Sequence, residues 1–331
     1  MMYSRVLVTG AAGFIGQHVV RDQLRRGRQV RALDQRAEGL RALGADERLE
    51  IVVADVTEPE VQRRAVTDVG IVFHLASAHL ETGLPDSAYR RVNVAAVESL
   101  LDESRRAGVE RFVHVSSCGV HGNIGTEAAD EESPFRPTIA YERTKLEGER
   151  LARSYCRRTG FPVVVSRPAW VYGPGCMRTA RLFDTIARGK FVMIGRGRNR
   201  RSGIYIDDYV EGLELCATRP DVEGEAFIMV NDERVTVGRI VDEIARLVGR
   251  SGPRLRLPVW LGWGLAVVAE VSARTLGRQP SVTRRTLKFF TNDAGFTAAK
   301  ARDVLGLQPQ VDLRTGLELT WRWWHELDGG H

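Results

Sequence analysis

The stretch Thr9-Gly10-Ala11-Ala12-Gly13-Phe14-Ile15-Gly16 constrains this chain more than any other. It follows an apolar strand candidate, Arg5–Thr9, and opens an amphipathic segment, 15–26. In that context each glycine has a steric task. Gly10 permits the tight turn, Gly13 lets backbone approach a pyrophosphate, and Gly16 allows helix to pack closely on strand. The helix start, at Phe14 and Ile15, offers unpaired amides and partial positive charge to phosphate. The pattern therefore predicts a dinucleotide site at the first strand–helix turn.

The rest of the first half keeps the same rhythm. Strand candidates at 29–33, 49–54, 71–75, 111–116 and 163–167 alternate with helix candidates that include 89–106 and 140–158. Four of the strands are nearly continuous Val/Ile/Leu/Phe runs, the mark of a parallel sheet covered on both faces. Glycines follow the ends of two helices, at Arg26-Gly27 and Ala107-Gly108. The expected fold is α/β, a doubly wound Rossmann sheet. Residues 1–168 form the dinucleotide-binding domain, and 203–232 return to it. After residue 168 glycine-rich punctuation breaks the rhythm, so 169–202 and 233–331 read as a smaller, mostly helical substrate lobe.

The second strand ends at Asp34, eighteen residues past Gly16. A carboxylate there accepts hydrogen bonds from ribose hydroxyls and repels a 2′-phosphate, which favours NAD over NADP. Arg36 pulls the other way, because an arginine near that point can bind the phosphate. Asp55, with Val56 beside it at the end of the third strand, is placed to meet adenine or to cap the next helix.

Tyr141 and Lys145 stand at i and i+4 on one helix face. A phenol titrates near 10, and a neighbouring ammonium favours its anion, making it a usable acid/base. Upstream by twenty-four residues, Ser116-Ser117 ends a strand at the edge where ligands bind in such sheets. A serine there can hydrogen-bond a reacting oxygen while the tyrosine moves its proton.

TGAAGFIG, His74-Leu75-Ala76, Asn93, Ser117, Tyr141/Lys145, Arg167-Pro168 and Tyr205-Ile206-Asp207-Asp208 occur in that order. Together they resemble the extended short-chain dehydrogenase/reductase family, also called the NAD-dependent epimerase/dehydratase family. The resemblance implies that Tyr141 is the acid/base, that Lys145 tunes it and holds ribose, and that Ser117 orients the substrate oxygen, with Ser116 as the alternative serine. It further implies that Asn93 supports the site, that Leu75 and Ala76 line the cofactor cleft, and that Pro168 contacts the nicotinamide. Family dimers pair through the helices carrying Asn93 and Tyr141, so a homodimer is expected.

Departures from the pattern sort the branches. Members that perform 4,6-dehydration carry Asp-Glu after the catalytic hydroxyl, where this chain has Cys118-Gly119. Nucleotide-sugar epimerases have an asparagine where this chain has Trp170, an indole that offers either an apolar pocket wall or packing between lobes. Thr283-Arg284-Arg285 and the segment from Phe296 to Pro309 are similar to the 3β-hydroxysteroid dehydrogenase-like branch. Arg201 keeps the position of an arginine that contacts diphosphate in nucleotide-sugar enzymes, or is a surface charge. The expectation is thus an NAD-dependent oxidoreductase acting on a secondary alcohol or ketone. A nucleotide-sugar 4-epimerase is the alternative, and a non-catalytic NAD-binding sensor or scaffold a third reading.

Composition settles the remaining classes. In 331 residues with 43% hydrophobic and 27% charged, a folded domain is expected. The four cysteines (Cys118, Cys156, Cys176, Cys216) lack paired spacing, which argues against a disulfide scaffold or zinc site and suggests a reducing, cytoplasmic setting. No signal peptide is read, because a strand starts at Tyr3. The net charge is +6, and its one dense basic run, Gly195–Arg201, lacks an aromatic platform, so no nucleic acid partner is expected. The apolar stretch from Leu257 to Val271 is too short to span a bilayer; it either packs on the core and roofs a pocket, or touches a membrane surface.

Overall fold

A computed structural model of the chain describes residues 5–78, 84–125, 127–253, 255–275 and 284–327. Thr283 lies outside the described residues. Seven parallel strands make the main sheet: β1 (Arg5–Thr9), β2 (Gln29–Asp34), β3 (Leu49–Val53), β4 (Ile71–His74), β5 (Arg111–Val115), β6 (Val163–Pro168) and, after three strands of the lobe, β10 (Ala226–Met229). Their order is β10-β6-β5-β4-β1-β2-β3. The chain winds outward from β1 through β2 to β3, then returns to β4 on the other side of β1. The crevice at the carboxyl ends of β1 and β4 is therefore the switch point where such sheets bind ligands.

Alternate residues of each strand enter opposite cores, as the two-residue period requires. Val6 and Val8 join one cluster with Val19 and Val20 of helix Phe14–Arg25 and Tyr209 and Leu213 of helix Ile206–Thr218. Leu7, Val72 and Phe112 join the other, with Leu100 of helix Ala96–Arg106 and Ala152 and Tyr155 of helix Ala140–Thr159. At the edge, β3 leaves Ile51 and Val53 exposed. Gly27 and Gly108 both adopt positive φ just past helix ends, the conformation glycine takes without a Cβ clash.

The helix expected over 89–106 is interrupted. Asp86–Arg90 is α-helical, Arg91–Ala95 widens into a π-turn, and Ala96–Arg106 continues as α-helix. Asn93 sits in the wide turn, where its side chain is used by long-range partners rather than by its own helix.

The lobe contains more sheet than its sequence suggests. β7 (Trp170–Tyr172), β9 (Arg200–Tyr205) and β11 (Arg234–Thr236) form a three-stranded sheet, and β8 (Met193–Ile194) pairs with β12 (Arg256–Leu257). These runs are short and carry arginine and glycine, so the sequence shows only the end of β9, as a strand-like stretch at 203–206. Helix Ile206–Thr218 is bound to helix Phe14–Arg25 and its C-terminal turn by Arg28, whose guanidinium makes two 2.7 Å contacts with Glu214. Helix Val237–Leu247 starts at Thr236, whose hydroxyl accepts from the Arg239 amide at 3.2 Å. Among the described residues no helix is long and apolar enough to cross a membrane, and all four cysteines are buried and free.

Candidate active site

The glycine loop is as tight as its sequence demands. Gly10 has φ +71°, and a Cβ there would lie 2.7 Å from the Ala76 nitrogen and 2.9 Å from the Leu75 carbonyl carbon. A Cβ on Gly16 would lie 2.2 Å from the Gly10 oxygen. On Gly13 it would meet the same oxygen at 3.1 Å. Gly13 is also the N-cap of helix Phe14–Arg25 and has no side chain to occupy the amides of Phe14 and Ile15. Free amides, a helix N-terminus and backbone that approaches without Cβ atoms suit a pyrophosphate. The residues present thus fit a dinucleotide.

Asp34, buried at the end of β2, accepts from the Ala12 amide at 3.1 Å and the Arg36 amide at 2.9 Å. It braces the loop while keeping lone pairs for ribose hydroxyls. The exposed Arg36 guanidinium pairs with Asp34 at 3.4 Å, and its Nη2 lies 3.7 Å from where a Cβ on Gly13 would be. The Asp55 carboxylate accepts from the Thr57 amide at 2.9 Å, and the carbonyl of the buried Val56 accepts from Gln62 Nε2 at 2.7 Å. The Leu75 and Ala76 amides donate to the Thr9 carbonyl and hydroxyl, each at 3.2 Å.

Glu142 fixes the first turn of the Tyr141 helix, accepting from the Thr138 amide at 2.7 Å, the Thr138 hydroxyl at 2.8 Å and the Ile139 amide at 3.3 Å. Tyr141 is half-buried, and Lys145 one turn later is buried. The Lys145 ammonium donates to the Val115 carbonyl at the end of β5. Burial lowers its pKa to about 8, with Glu149 opposing the fall. Stacked beneath are His74 and His114, ring centroids 5.7 Å apart. Burial first, and the nearby lysine second, push His74 to about 3 and His114 well below its ordinary value. Both rings are therefore neutral at physiological pH.

The two serines differ in placement. Ser116 is buried, its amide donating to the Ser166 carbonyl at 2.7 Å. Ser117 is partly exposed and caps the turn Cys118–His121, its hydroxyl accepting from the Gly119 amide at 3.0 Å. That leaves the Ser117 hydrogen available to donate. Asn93 accepts from the Ser77 hydroxyl at 3.0 Å and the Ala78 amide at 2.9 Å, and donates to Thr144 at 3.0 Å. Its carbonyl leaves no room for a side chain at Gly148, where a Cβ would sit 2.1 Å away. The wide turn at Asn93 thus seats directly on the Tyr141 helix.

A buried brace escapes sequence reading. Arg167 and Glu149 are 0% and 1% exposed and joined by contacts of 2.5, 3.0 and 3.1 Å. Arg167 also donates to the Glu131 carbonyl at 3.1 Å and lies 5.0 Å from the Phe135 ring centroid. Pro168 follows it and ends β6 beside Met229 of β10. Thr9 and Thr144 were likewise invisible as site residues, since only long-range partners single them out.

Trp170 is buried, stacked on Tyr172 at 4.5 Å and edge-on to Phe289 at 6.1 Å. Arg201, partly buried, gives its Nε to the Phe289 carbonyl at 3.1 Å and Nη2 to the Lys288 carbonyl at 2.6 Å, with its guanidinium 4.6 Å from the Phe289 ring centroid. Burial lowers its pKa to about 10.

A doubly wound sheet with this glycine cradle and a Tyr/Lys helix at its carboxyl edge defines the class of dinucleotide-dependent extended short-chain dehydrogenases/reductases. Within it, the chain belongs to the NAD-dependent epimerase/dehydratase family, which matches residues 6–230. It is 31% identical over 326 residues to a 3 beta-hydroxysteroid dehydrogenase/Delta 5-->4-isomerase of Mycobacterium tuberculosis, covering 92% of this chain and 86% of that one. It is also 31% identical over 315 residues to the sterol demethylase protein B of Methylococcus capsulatus, with 92% and 93% covered. The crystal structure of a UDP-glucuronic acid 4-epimerase from Bacillus cereus in complex with NAD shares the fold, with a TM-score of 0.81 at 23% identity and 99% and 98% of the two chains covered.

Proposed function

We propose that the chain is an NAD-dependent dehydrogenase that interconverts a secondary alcohol and a ketone on a bulky apolar, steroid-like substrate. When bound, NAD supplies the two-electron acceptor for the carbinol carbon. Tyr141 acts as the phenolate, which the Lys145 ammonium, fixed by the Val115 carbonyl, stabilises; its Oη takes the hydroxyl proton and becomes the neutral phenol. Ser117, already accepting from Gly119, donates its own hydrogen to the substrate oxygen. Gly10, Gly13 and Gly16 cradle the pyrophosphate, Asp34 takes the adenosine ribose, and Asn93 holds the loop at Ser77-Ala78 against the Tyr141 helix. The active form is a homodimer paired through the Asn93 and Tyr141 helices.

The observation that carries the substrate class is Arg201. Two of its donor groups are engaged by carbonyls and its face lies over Phe289, so it serves the lobe's packing instead of standing ready for a diphosphate. Trp170 adds an apolar neighbour in the same place. The two sterol-related relatives at 31% identity support the same reading.

The test supplies purified protein with NAD and either a 3β-hydroxysteroid or a UDP-hexose, and follows NADH absorbance and sugar epimerisation separately. NADH formation with the steroid, abolished in Tyr141→Phe while NADH affinity is kept, is the expected result. Epimerised UDP-hexose without net NADH would instead establish the epimerase, and turnover surviving in Tyr141→Phe would remove the acid/base assignment.

A further inference from the structure

The dense basic run of the lobe lines an open cavity of about 510 Å³ that takes no residue from the candidate active site. Three chain segments bring arginines to it. Arg196 and Arg198 come from the connection between β8 and β9, Arg239 and Arg246 from helix Val237–Leu247, and Arg256 from β12. Backbone contacts hold these segments together. β8 pairs with β12, and the Gly195 amide donates to the Leu257 carbonyl at 2.8 Å. Ile194 of β8 also packs with Leu287 and with Ala266 of helix Val259–Thr275 in a small core. Gly197, at φ +66°, accepts from the Gly238 amide at 2.9 Å, and a Cβ on it would lie 3.1 Å from that nitrogen. The basic connection thus sits directly on the start of helix Val237–Leu247. That helix has its first amides engaged already: Val237 donates to the Asn199 carbonyl at 3.0 Å and Arg239 to the Thr236 hydroxyl at 3.2 Å. An anion in the cavity would therefore be held by side chains.

Charge and lining define what fits. Arg239 pairs with Glu233 at 2.9 Å and Arg246 with Glu243 at 3.1 Å. Arg196, Arg198 and Arg256 are exposed and have no ion pair among the described residues, and Asp242 is the one acid of the lining without one. Three free guanidinium groups against one free carboxylate leave a surplus of two positive charges. A phosphomonoester carries about −1.5 to −2 at pH 7 and matches that surplus, whereas a diester carries a single charge. The guanidinium fork is shaped for its oxygens. The cavity is larger than a phosphate needs and falls in the usual range for small-molecule sites. Its lining has no aromatic ring to stack a base and no aliphatic wall for an acyl chain. It does offer the Thr236 hydroxyl and the Asp242 carboxylate, which suit hydroxyl groups.

We propose that this cavity is a second small-molecule site, which takes the phosphomonoester of a hydroxylated compound such as a sugar phosphate. Arg196, Arg198 and Arg256 hold the phosphate, and Asp242 and Thr236 take hydroxyl groups of the ligand body. The site stands independently of the alcohol oxidised at Tyr141.

The experiment uses full-length protein saturated with NAD, so that the glycine cradle is filled. Inorganic phosphate, glucose 6-phosphate and dimethyl phosphate are titrated by calorimetry at constant ionic strength. Saturable, stoichiometric binding of inorganic phosphate is expected, with glucose 6-phosphate about tenfold tighter and the diester at least about tenfold weaker. Arg196→Ser/Arg198→Ser/Arg256→Ser should weaken glucose 6-phosphate at least about a hundredfold while keeping Tm and NADH affinity. Arg64→Ser, which removes an exposed arginine of the Rossmann domain, should leave binding unchanged. Asp242→Asn should tighten inorganic phosphate severalfold and reduce the advantage of the sugar. Phosphate binding that does not saturate, that survives in the triple variant, or that falls equally in Arg64→Ser would overturn the proposal. A diester bound as tightly as the monoester would overturn it too, by assigning the arginines to a phosphodiester backbone or headgroup. Glucose 6-phosphate bound no tighter than phosphate would remove the role given to Asp242 and Thr236.

Discussion

Glu149→Gln is the substitution that most directly tests how the helix carrying Tyr141 and Lys145 is held. Glu149 lies on that helix two turns beyond Tyr141, and its carboxylate neutralises Arg167, a guanidinium with no solvent contact. The amide would preserve the shape and remove the charge, leaving Arg167 buried and uncompensated. Breaking one side of such a pair costs about 3–5 kcal/mol. In a chain of this size, at about 2 °C per kcal/mol, Tm should fall by roughly 6–10 °C. A second readout is chemical. Glu149 opposes the effect of burial on Lys145, so its neutralisation should carry the lysine below its value of about 8. Because the ammonium must be protonated to stabilise the Tyr141 anion, kcat/KM should decline with rising pH through about 8 in the wild type, and at lower pH in the variant. The assays are thermal denaturation and a pH–rate profile. Replacing both partners, Glu149→Leu with Arg167→Met, should recover most of the lost Tm. A Tm within 2 °C of wild type, or an alkaline limb that does not move, would refute the reasoning.

Three other outcomes are expected. Gly16→Ala places a methyl 2.2 Å from the Gly10 oxygen, so NADH affinity should drop at least about tenfold by fluorescence titration; wild-type affinity would show that the loop is not the cradle. Asp34→Ser removes the carboxylate paired with Arg36, and the ratio of NADP to NAD efficiency should rise by about tenfold in paired kinetic assays. Lys145 has a folded pKa of about 8 against an ordinary 10.5, so between those values the unfolded chain binds more protons and stability rises with pH. Across that window the gain should approach about 3 kcal/mol, and Lys145→Met should lack it in denaturant titrations at successive pH values.

The main sheet was legible because its signals are local. Continuous apolar runs located β1, β2 and β4 to β6 within a residue or two, and glycines marked the ends of helices at Gly27 and Gly108. The tight glycine turn and the placement of Tyr141 and Lys145 on one helix were equally readable, since their spacing is fixed by one turn of backbone. Features decided across the sheet were not. The sequence of Arg91–Ala95 carries no mark of a π-turn, because its cause is Asn93 reaching Ala78 and Thr144. Nothing local pairs Arg167 with Glu149, eighteen residues away, or stacks His74 on His114. Most of the lobe's sheet also escaped: only 203–206 read as strand-like, while Arg200 and Arg201 hid the start of β9 and β8 has just two residues. Sequence did locate the apolar segment at Leu257, but whether it faces core or solvent depended on Ile194, far away in the chain.

The small core of Ile194, Ala266 and Leu287 is distinct from the two large clusters that sandwich the sheet, and it meets one of them at Phe290, which packs against both. Substitutions in groups with few shared partners couple weakly. The outer helix Val259–Thr275 can therefore be remodelled at little cost to the Tyr141 helix beside β5 and β6, provided Phe290 is kept. Such a division of labour lets one scaffold keep a single redox chemistry while successive descendants change what is brought to it, and from which surface.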